Sequence, residues 1–272
     1  MRTNKWYDDN KDEILKLYYD GKTIKYICDI LSCNKSLIYK KFNEWDIERR
    51  KRIKPQERHN AIYNVDYEYF DNIDCEHKAY WLGMILADSF VNKKEISLCL
   101  QLSDIKTIEN FRNNLSAEHP IKYNKDGNPF LTICCTHMTN TLINYGFHNR
   151  KSWGIDLEKI LENIPKEYEH HFIRGMFDGD GCIKYYEYSY LKKPQFHFGY
   201  TGLENVCEYI NSKLGIDRKL IHEGGLTYTA ITRDPKLIMD IFNYMYKDAT
   251  IYMDRKYNVF QEIKTMTTEV CA

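Results

Sequence analysis

Trp81-Leu82-Gly83-Met84-Ile85-Leu86-Ala87-Asp88-Ser89 is echoed by Ile173-Arg174-Gly175-Met176-Phe177-Asp178-Gly179-Asp180-Gly181. In both copies a small residue falls at i and i+4 (Gly83 and Ala87, Gly175 and Gly179), and an acid follows at i+5 (Asp88, Asp180). Glycine inside a helix costs up to ~1 kcal/mol relative to alanine. Two on one face make sense where two helix backbones must approach closely, the logic of small-xxx-small packing. Two such helices side by side bring Asp88 and Asp180 together at their ends, a candidate two-metal site built from two repeats.

Hydrophobic residues make up 43% and charged residues 29% of the 272, a globular rather than disordered balance. No apolar run approaches the ~20 residues of a membrane span, and MRTNKWYDDNKDE has no apolar signal-peptide core. The nine cysteines are scattered, without a Cys-x-x-Cys. That argues against a disulfide framework or zinc site and for a reducing, intracellular setting: a cytoplasm, or a host's cytoplasm for a phage-encoded protein. The cysteines read as small buried hydrophobes. The net charge of zero conceals a division, with residues 1–60 holding 15 Lys/Arg against 10 Asp/Glu and the remainder 24 against 29. Charge distribution, rather than net charge, therefore carries the case for nucleic acid.

The first segment reads as three short helices: residues 9–19 ended by Gly21, a second capped by Thr23 with Ile24, Ile27, Ile30 and Leu31, and a third over residues 35–45 burying Leu37 or Ile38 and Phe42. The turn Ser32-Cys33-Asn34 between the last two matches a helix-turn-helix, although the usual turn glycine is absent. Its third helix would offer Lys35, Ser36, Tyr39, Lys40 and Lys41 to the major groove; a small bundle with a solvated basic face is the plainer alternative. Arg49, Arg50, Lys51, Arg52 and Lys54 precede Pro55 in a basic linker of the kind that tracks phosphates or enters the minor groove.

From Tyr67 the chain repeats one order: helix, two strands, helix, two strands, helix. Residues 77–88 form the first motif helix, and residues 95–103 alternate strictly, with Ile96, Leu98, Leu100 and Leu102 inward and Glu95, Ser97, Cys99 and Gln101 on a free face. A helix over 105–115, strands at 121–124 and 130–136 and a helix over 137–147 complete the unit. The second unit has a motif helix over 167–180 and strands at 182–190 and 195–201. There Phe196, Phe198 and Tyr200 face inward and Gln195, His197 and Gly199 outward. A helix over 203–214, strands at 218–223 and 226–232, and helices over 235–247 and 253–266 follow. Such an internal duplication predicts a pseudo-twofold domain.

The paired motifs, with Ala79-Tyr80 and Phe172 leading in and the C-terminal Ala249-Thr250-Ile251-Tyr252-Met253-Asp254-Arg255-Lys256-Tyr257, resemble the LAGLIDADG homing endonucleases over roughly residues 67–265. A lone Asp-x-Asp-Gly also suits a calcium loop, but Asp178-Gly179-Asp180-Gly181 lacks the further ligands of an EF-hand. The resemblance implies an α+β, pseudo-twofold duplicated αββαββα homing-endonuclease fold with DNA-binding saddle sheets, plus the small all-α helix-turn-helix N-terminal domain. The expected divisions are helix-turn-helix 1–48, basic linker 49–66, repeat one 67–150 and repeat two with a C-terminal helix 151–272.

It also implies a monomeric, Mg²⁺-dependent (or Mn²⁺-dependent) enzyme cutting double-stranded DNA, as in intron homing. Asp88 and Asp180 would be the catalytic metal ligands, helped by the carbonyls of Ala87 and Gly179. Glu95, Ser97, Cys99, Gln101, Gln195 and His197 would lie along the major groove, where glutamine pairs with adenine. The family places a lysine or glutamine near the cleavage centre. Gln101, Lys122, Arg218 and Lys219 are the candidates, with no basic group near Gly199 and Tyr200. Asp178, matched by Leu86, is read as a local hydrogen-bonding residue. Ser89, in place of the motif's final glycine, implies a looser exit from the first helix. The alternative is a non-cleaving binder on the same fold, a transcription regulator or an intron-splicing maturase contacting intron RNA.

Overall fold

The computed structural model describes residues 3–19, 24–47, 63–147, 155–191 and 193–271, and the chain divides between Ile62 and Tyr63 into two units. The division falls inside the expected linker, whose residues Arg49, Arg50, Lys51, Arg52 and Lys54 lie outside the described residues, as do Gly21 and Thr23.

The first unit has four described helices, α1 (Asn4–Asp9), α2 (Lys11–Tyr19), α3 (Ile24–Leu31) and α4 (Lys35–Glu44). The single helix expected over 9–19 is therefore preceded by a separate turn of helix, which Thr3 caps by accepting from the Trp6 N–H. Tyr7, Ile14, Tyr18, Ile24, Ile27, Ile38 and Phe42 form the core, so Ile38 rather than Leu37 is the buried residue of α4. Ser32 takes the left-handed conformation, φ 49°, which supplies the reversal usually left to glycine. The Asn34 side chain then caps α4 by accepting from the Ser36 N–H, and its own N–H donates to the Tyr7 hydroxyl at 2.7 Å.

The second unit runs α5 (Glu76–Asp88), β1 (Ser89–Val91), β2 (Ile96–Cys99), α6 (Ile105–Asn114), β3 (Lys122–Tyr123), β4 (Pro129–Ile133) and α7 (Thr136–Asn144). A short α8 (Leu157–Glu162) leads to α9 (Glu169–Asp180), β5 (Gly181–Tyr186), β6 (Gln195–Gly202), α10 (Glu204–Leu214), β7 (Ile221–Gly224), β8 (Thr227–Thr232), α11 (Pro235–Met245) and α12 (Asp254–Cys271). The strands form two four-stranded sheets of matching order, β1-β2-β4-β3 and β5-β6-β8-β7, with neighbouring strands antiparallel throughout. The first expected strand is too long: β2 ends at Cys99, and Leu102 opens a 3₁₀ turn with 56% of its surface exposed. The expectation that the cysteines are buried also fails in part, since Cys75, Cys99, Cys134 and Cys182 are exposed, while Cys135 and Cys207 are buried.

Helices α5 and α9 are the seam. Residues 79–86 of one and 171–178 of the other are buried on all sides; the first stretch is almost wholly apolar, as such burial usually requires, whereas the second also buries His171, Arg174 and Asp178. A Cβ on Gly83 would strike the Phe172 carbonyl oxygen and stand 2.8 Å from the Met176 nitrogen. One on Gly175 would strike the Tyr80 carbonyl oxygen and stand 3.0 Å from the Met84 nitrogen. The two contacts are images of each other under the pseudo-twofold. One turn further on, Gly179 faces the Ala87 methyl, which a Cβ at 179 would overlap. One core runs from this seam into both sheets and the outer helices.

Candidate active site

Both seam helices end on their acid, and the chain passes straight into a strand. The capping residues Ser89 (φ −99°, ψ 149°) and Gly181 (φ −80°, ψ 158°) are both extended, so Ser89 does not loosen the exit, correcting that expectation. Gly181 is required for another reason: a Cβ there would collide with the Phe177 ring. Ser89 instead leaves its buried hydroxyl without a hydrogen-bond partner among the described residues.

The close approach at Gly179 puts the Asp88 Oδ2 atom 3.4 Å from where a Gly179 Cβ would stand, one residue from Asp180. The two acids thus share one place at the C-terminal ends of two helices, where the helix dipoles add negative potential. Buried Tyr200 and Lys256 each feel both Asp88 and Asp180. Cys99 holds its proton above the usual thiol range through burial and then the Asp88 charge.

Lys256 was missed as a site residue. It is 3% exposed, and its ammonium donates to the carbonyls of Phe177 (2.7 Å), Asp178 (2.7 Å) and Gly179 (3.1 Å). It therefore caps the end of α9 with a cation, the sign that a helix C-terminus favours. Burial pulls its pKa down to about 8, against the opposing fields of Asp178, Asp88 and Asp180. The signal available in the sequence was a lysine on the buried stripe of the last helix, in step with Met253, Phe260 and Ile263.

Asp178 is a hydrogen-bonding residue, as its lack of a counterpart indicated. Fully buried, it accepts from the Tyr80 hydroxyl (2.9 Å) and the Met253 N–H (2.8 Å); burial raises its pKa against the pull of Lys256. Beside it Arg174, with no exposed surface, donates to Glu76 (2.8 Å) and to the carbonyls of Ile251 (3.0 Å) and Met245 (2.7 Å).

Strand registers give the equivalence of the sheets. Ser89 pairs with Leu98 and Gly181 with Tyr200, so Leu98 matches Tyr200 and Gln101 matches Leu203 rather than Gly199 or Tyr200. Gln101 lies exposed past the end of β2. Glu95 precedes β2 and accepts from the Asn92 side chain. Ser97, half-buried on the open face, bonds the Thr132 hydroxyl at 2.9 Å. Lys122 pairs with Phe130, itself the partner of Cys99, which puts it on that face. Its counterpart is Ile221, the partner of Thr229. Arg218 and Lys219 are exposed in the loop before β7.

On the second sheet Gln195 is exposed and His197 half-buried. The imidazole leans over Gly199, its Nε2 3.2 Å from where a Cβ would stand. Burial lowers its pKa, as do the nearby charges of Lys184 and Arg233. In the first unit, Lys35, Ser36 and Lys40 are exposed and Tyr39 half-buried. Lys41 is not a surface group: 6% exposed, it is held by Asp8 at 2.7 Å and Glu44 at 2.8 Å. It braces α4 against α1, which removes it from the set of groove-facing residues.

Among the described residues no cluster of three or more His, Cys, Asp or Glu side chains converges on a metal position. The seam presents two carboxylates and the backbone oxygens beside them. Such a donor set suits a hard divalent ion that takes its remaining oxygens from water and phosphate.

No protein-family model and no curated protein matches the sequence. Solved structures do match in fold. A LAGLIDADG meganuclease, I-AabMI, bound to uncleaved DNA superposes with a TM-score of 0.53 at 11% identity, covering 70% of this chain and 90% of that one. The I-LtrWI LAGLIDADG homing endonuclease bound to target DNA gives 0.53 at 13%, covering 75% and 92%. The meganuclease I-SmaMI bound to uncleaveable DNA gives 0.50 at 13%, covering 68% and 88%. The fold is that of the LAGLIDADG homing endonucleases.

Proposed function

We propose that this chain is a sequence-specific double-stranded DNA endonuclease of the homing type, dependent on Mg²⁺ or a similar divalent cation. The observation that carries the reading is the juxtaposition of Asp88 and Asp180 at matching ends of two helices joined through glycine. I-LtrWI is bound to target DNA, I-AabMI to uncleaved DNA and I-SmaMI to uncleaveable DNA, and I-SmaMI is also bound to an uncleaved DNA target in the presence of calcium ions, which supports DNA as partner and a divalent ion as cofactor.

Asp88 and Asp180 would hold the metal, with the Ala87 and Gly179 carbonyls as further oxygen donors; the Gly179 oxygen already faces Lys256. Such a metal would supply Lewis acidity toward the phosphate and would make a bound water more acidic. The remaining work falls to the chain. Lys256 fixes the end of α9 and so the position of Asp180. The open faces carrying Glu95, Ser97, Gln101, Gln195 and His197 would follow the major groove, which accepts a two-stranded ribbon. Lys35, Ser36, Tyr39 and Lys40 of the first unit, read as a helix-turn-helix, would add a further patch, and the linker cations would follow phosphates.

Incubating the protein with a genomic library that includes its gene's flanking DNA tests this. Cutting at one site, lost in EDTA and in an Asp88→Asn, Asp180→Asn double variant, is expected. Undiminished cutting by that variant, or no cutting under any divalent ion, would overturn the reading. The rival, a non-cleaving DNA or RNA binder, is favoured by Ile221 standing where the first half has Lys122. Metal-independent binding without cleavage would establish it.

A further inference from the structure

The two strand pairs that begin at the acids differ in reach. β1 and β2 are joined through three paired positions and closed by a tight turn in which the Asn92 side chain accepts from the Lys94 and Glu95 N–H groups. β5 and β6 are joined through six. Three more paired residues carry the second hairpin roughly 10 Å further from the helix ends, about the length of three base pairs of duplex.

The extension carries a row of tyrosines. Tyr186 ends β5; Tyr188 follows at 6.1 Å between ring centroids with planes 20° apart, and Tyr190 at 5.3 Å and 32°. All three are exposed, Tyr190 by 77%. The Leu191 N–H, donating to the Tyr188 carbonyl at 2.9 Å, closes the turn that holds them. Stacking covers the ring faces between neighbours but leaves the ring edges and most of Tyr190 in water, beside hydroxyls of which that of Tyr186 engages Lys184, the combination that suits a partner both apolar and polar.

Charge is segregated around it. Tyr186 pairs with Gln195 and Lys184 with His197, placing all four on the open face, where the Lys184 ammonium lies 5.5 Å from the Tyr186 ring centroid. Lys184 and Arg233 are the charges that His197 feels. The carboxylates of Glu262 and Glu187 instead act on Tyr185, the next residue along the strand. The cation shown beside the row is thus Lys184, on the open face, while the two carboxylates act on the residue that faces the other way. A polyanion is therefore favoured on the face that carries the row.

We propose that Tyr186, Tyr188 and Tyr190 form a docking edge for the sugar–phosphate backbone of duplex DNA, beyond the sheet itself. Through it the second half grips a longer stretch of DNA than the first. The inference rests on the DNA-binding reading above. The rings lie against deoxyribose and the hydroxyls donate to phosphate oxygens, contacts that position rather than read sequence. Because the rings are already ordered against one another, docking costs them little further freedom.

The test uses the full chain and duplexes selected from a random library by the unaltered protein in calcium. Hydroxyl-radical footprinting is expected to show protection reaching further from the centre on one side. A Tyr186→Ala, Tyr188→Ala, Tyr190→Ala variant is expected to lose that outer protection and to bind roughly tenfold more weakly or worse, the scale of one aromatic contact to nucleic acid. It keeps the same preferred core sequence. Tyr190→Ala alone, at the most exposed position, shows part of the loss and guards against a folding defect in the triple variant. An unchanged footprint and affinity in both variants overturns the docking edge alone. Failure to select any duplex overturns the DNA-binding reading and this inference with it.

Discussion

The two halves of the second unit are alike at the seam and unlike beyond it. Gly83 and Gly175 meet the opposite backbone at mirrored places, and β1 and β5 leave their helices in the same extended conformation. Away from the axis the second half has the longer hairpin, the exposed tyrosines, Arg174, Asp178 and His171. The first has Leu82, Leu86 and Ala79 at the last three positions. What must be equal is the approach of two backbones. What is free to differ is the surface each half turns outward and the polar groups that lock one half onto the other.

Giving the second half the first half's residue should do most damage at Arg174. Arg174→Leu strips the half-buried Glu76 carboxylate of its cation, although the Thr250 N–H and hydroxyl and the Ile251 N–H still hold it, and is expected to cost about 3 kcal/mol, the lower end for breaking a buried pair, read by denaturant unfolding; a loss below about 1 kcal/mol would show the ion pair to be dispensable. Gly83→Ala and Gly175→Ala should each cost about 1–3 kcal/mol, and by similar amounts, because both push a methyl onto a carbonyl oxygen. A clear inequality would break the symmetry of the seam.

A pH effect follows from His171, where Ala79 stands in the other half. Burial, and then the charge of Arg174, hold its pKa down at about 4, while in the unfolded chain it titrates near ~6.5. The unfolded state therefore binds the extra proton first, and stability falls as the pH drops from about 6.5 toward 4, by at most ~1.4 kcal/mol per pH unit. His171→Ala should flatten that slope, whatever its effect at neutral pH, in unfolding curves taken across the window. The smallest change is Ser89→Ala. It removes a buried hydroxyl with no described partner and is expected to leave stability unchanged or raise it by about 1 kcal/mol; a loss of that size would reveal a bond to the hydroxyl.

Much of this architecture was legible in residue order. Spacing of small residues announced the seam, and the alternation of Phe196, Phe198 and Tyr200 announced an inward strand face, because burial imposes those periods directly. Ends were harder. Alternation runs on through Leu102 although the last bond across to β4 is that of the Leu100 N–H to the Pro129 carbonyl, since a period cannot see where hydrogen bonds cease. The six-residue helices α1 and α8 passed unnoticed, being too short to show a period. The site was half legible: Asp88 and Asp180 stand out by their repetition, whereas Lys256 acts through carbonyls that no motif marks. Lys41 looked like a groove contact because its pairing with Asp8 spans 33 residues, a contact invisible to local pattern.

The buried bonds across the seam also act as an address. Glu76 needs Arg174, and Tyr80 needs Asp178; the matching positions in the first half are Leu82 and Leu86. Two copies of the first half brought together would set half-buried Glu76 against leucine in place of its cation and leave the buried Tyr80 hydroxyl without Asp178. The polar groups that the first half brings to the seam are thus matched by the second half and would not be matched by a copy of the first.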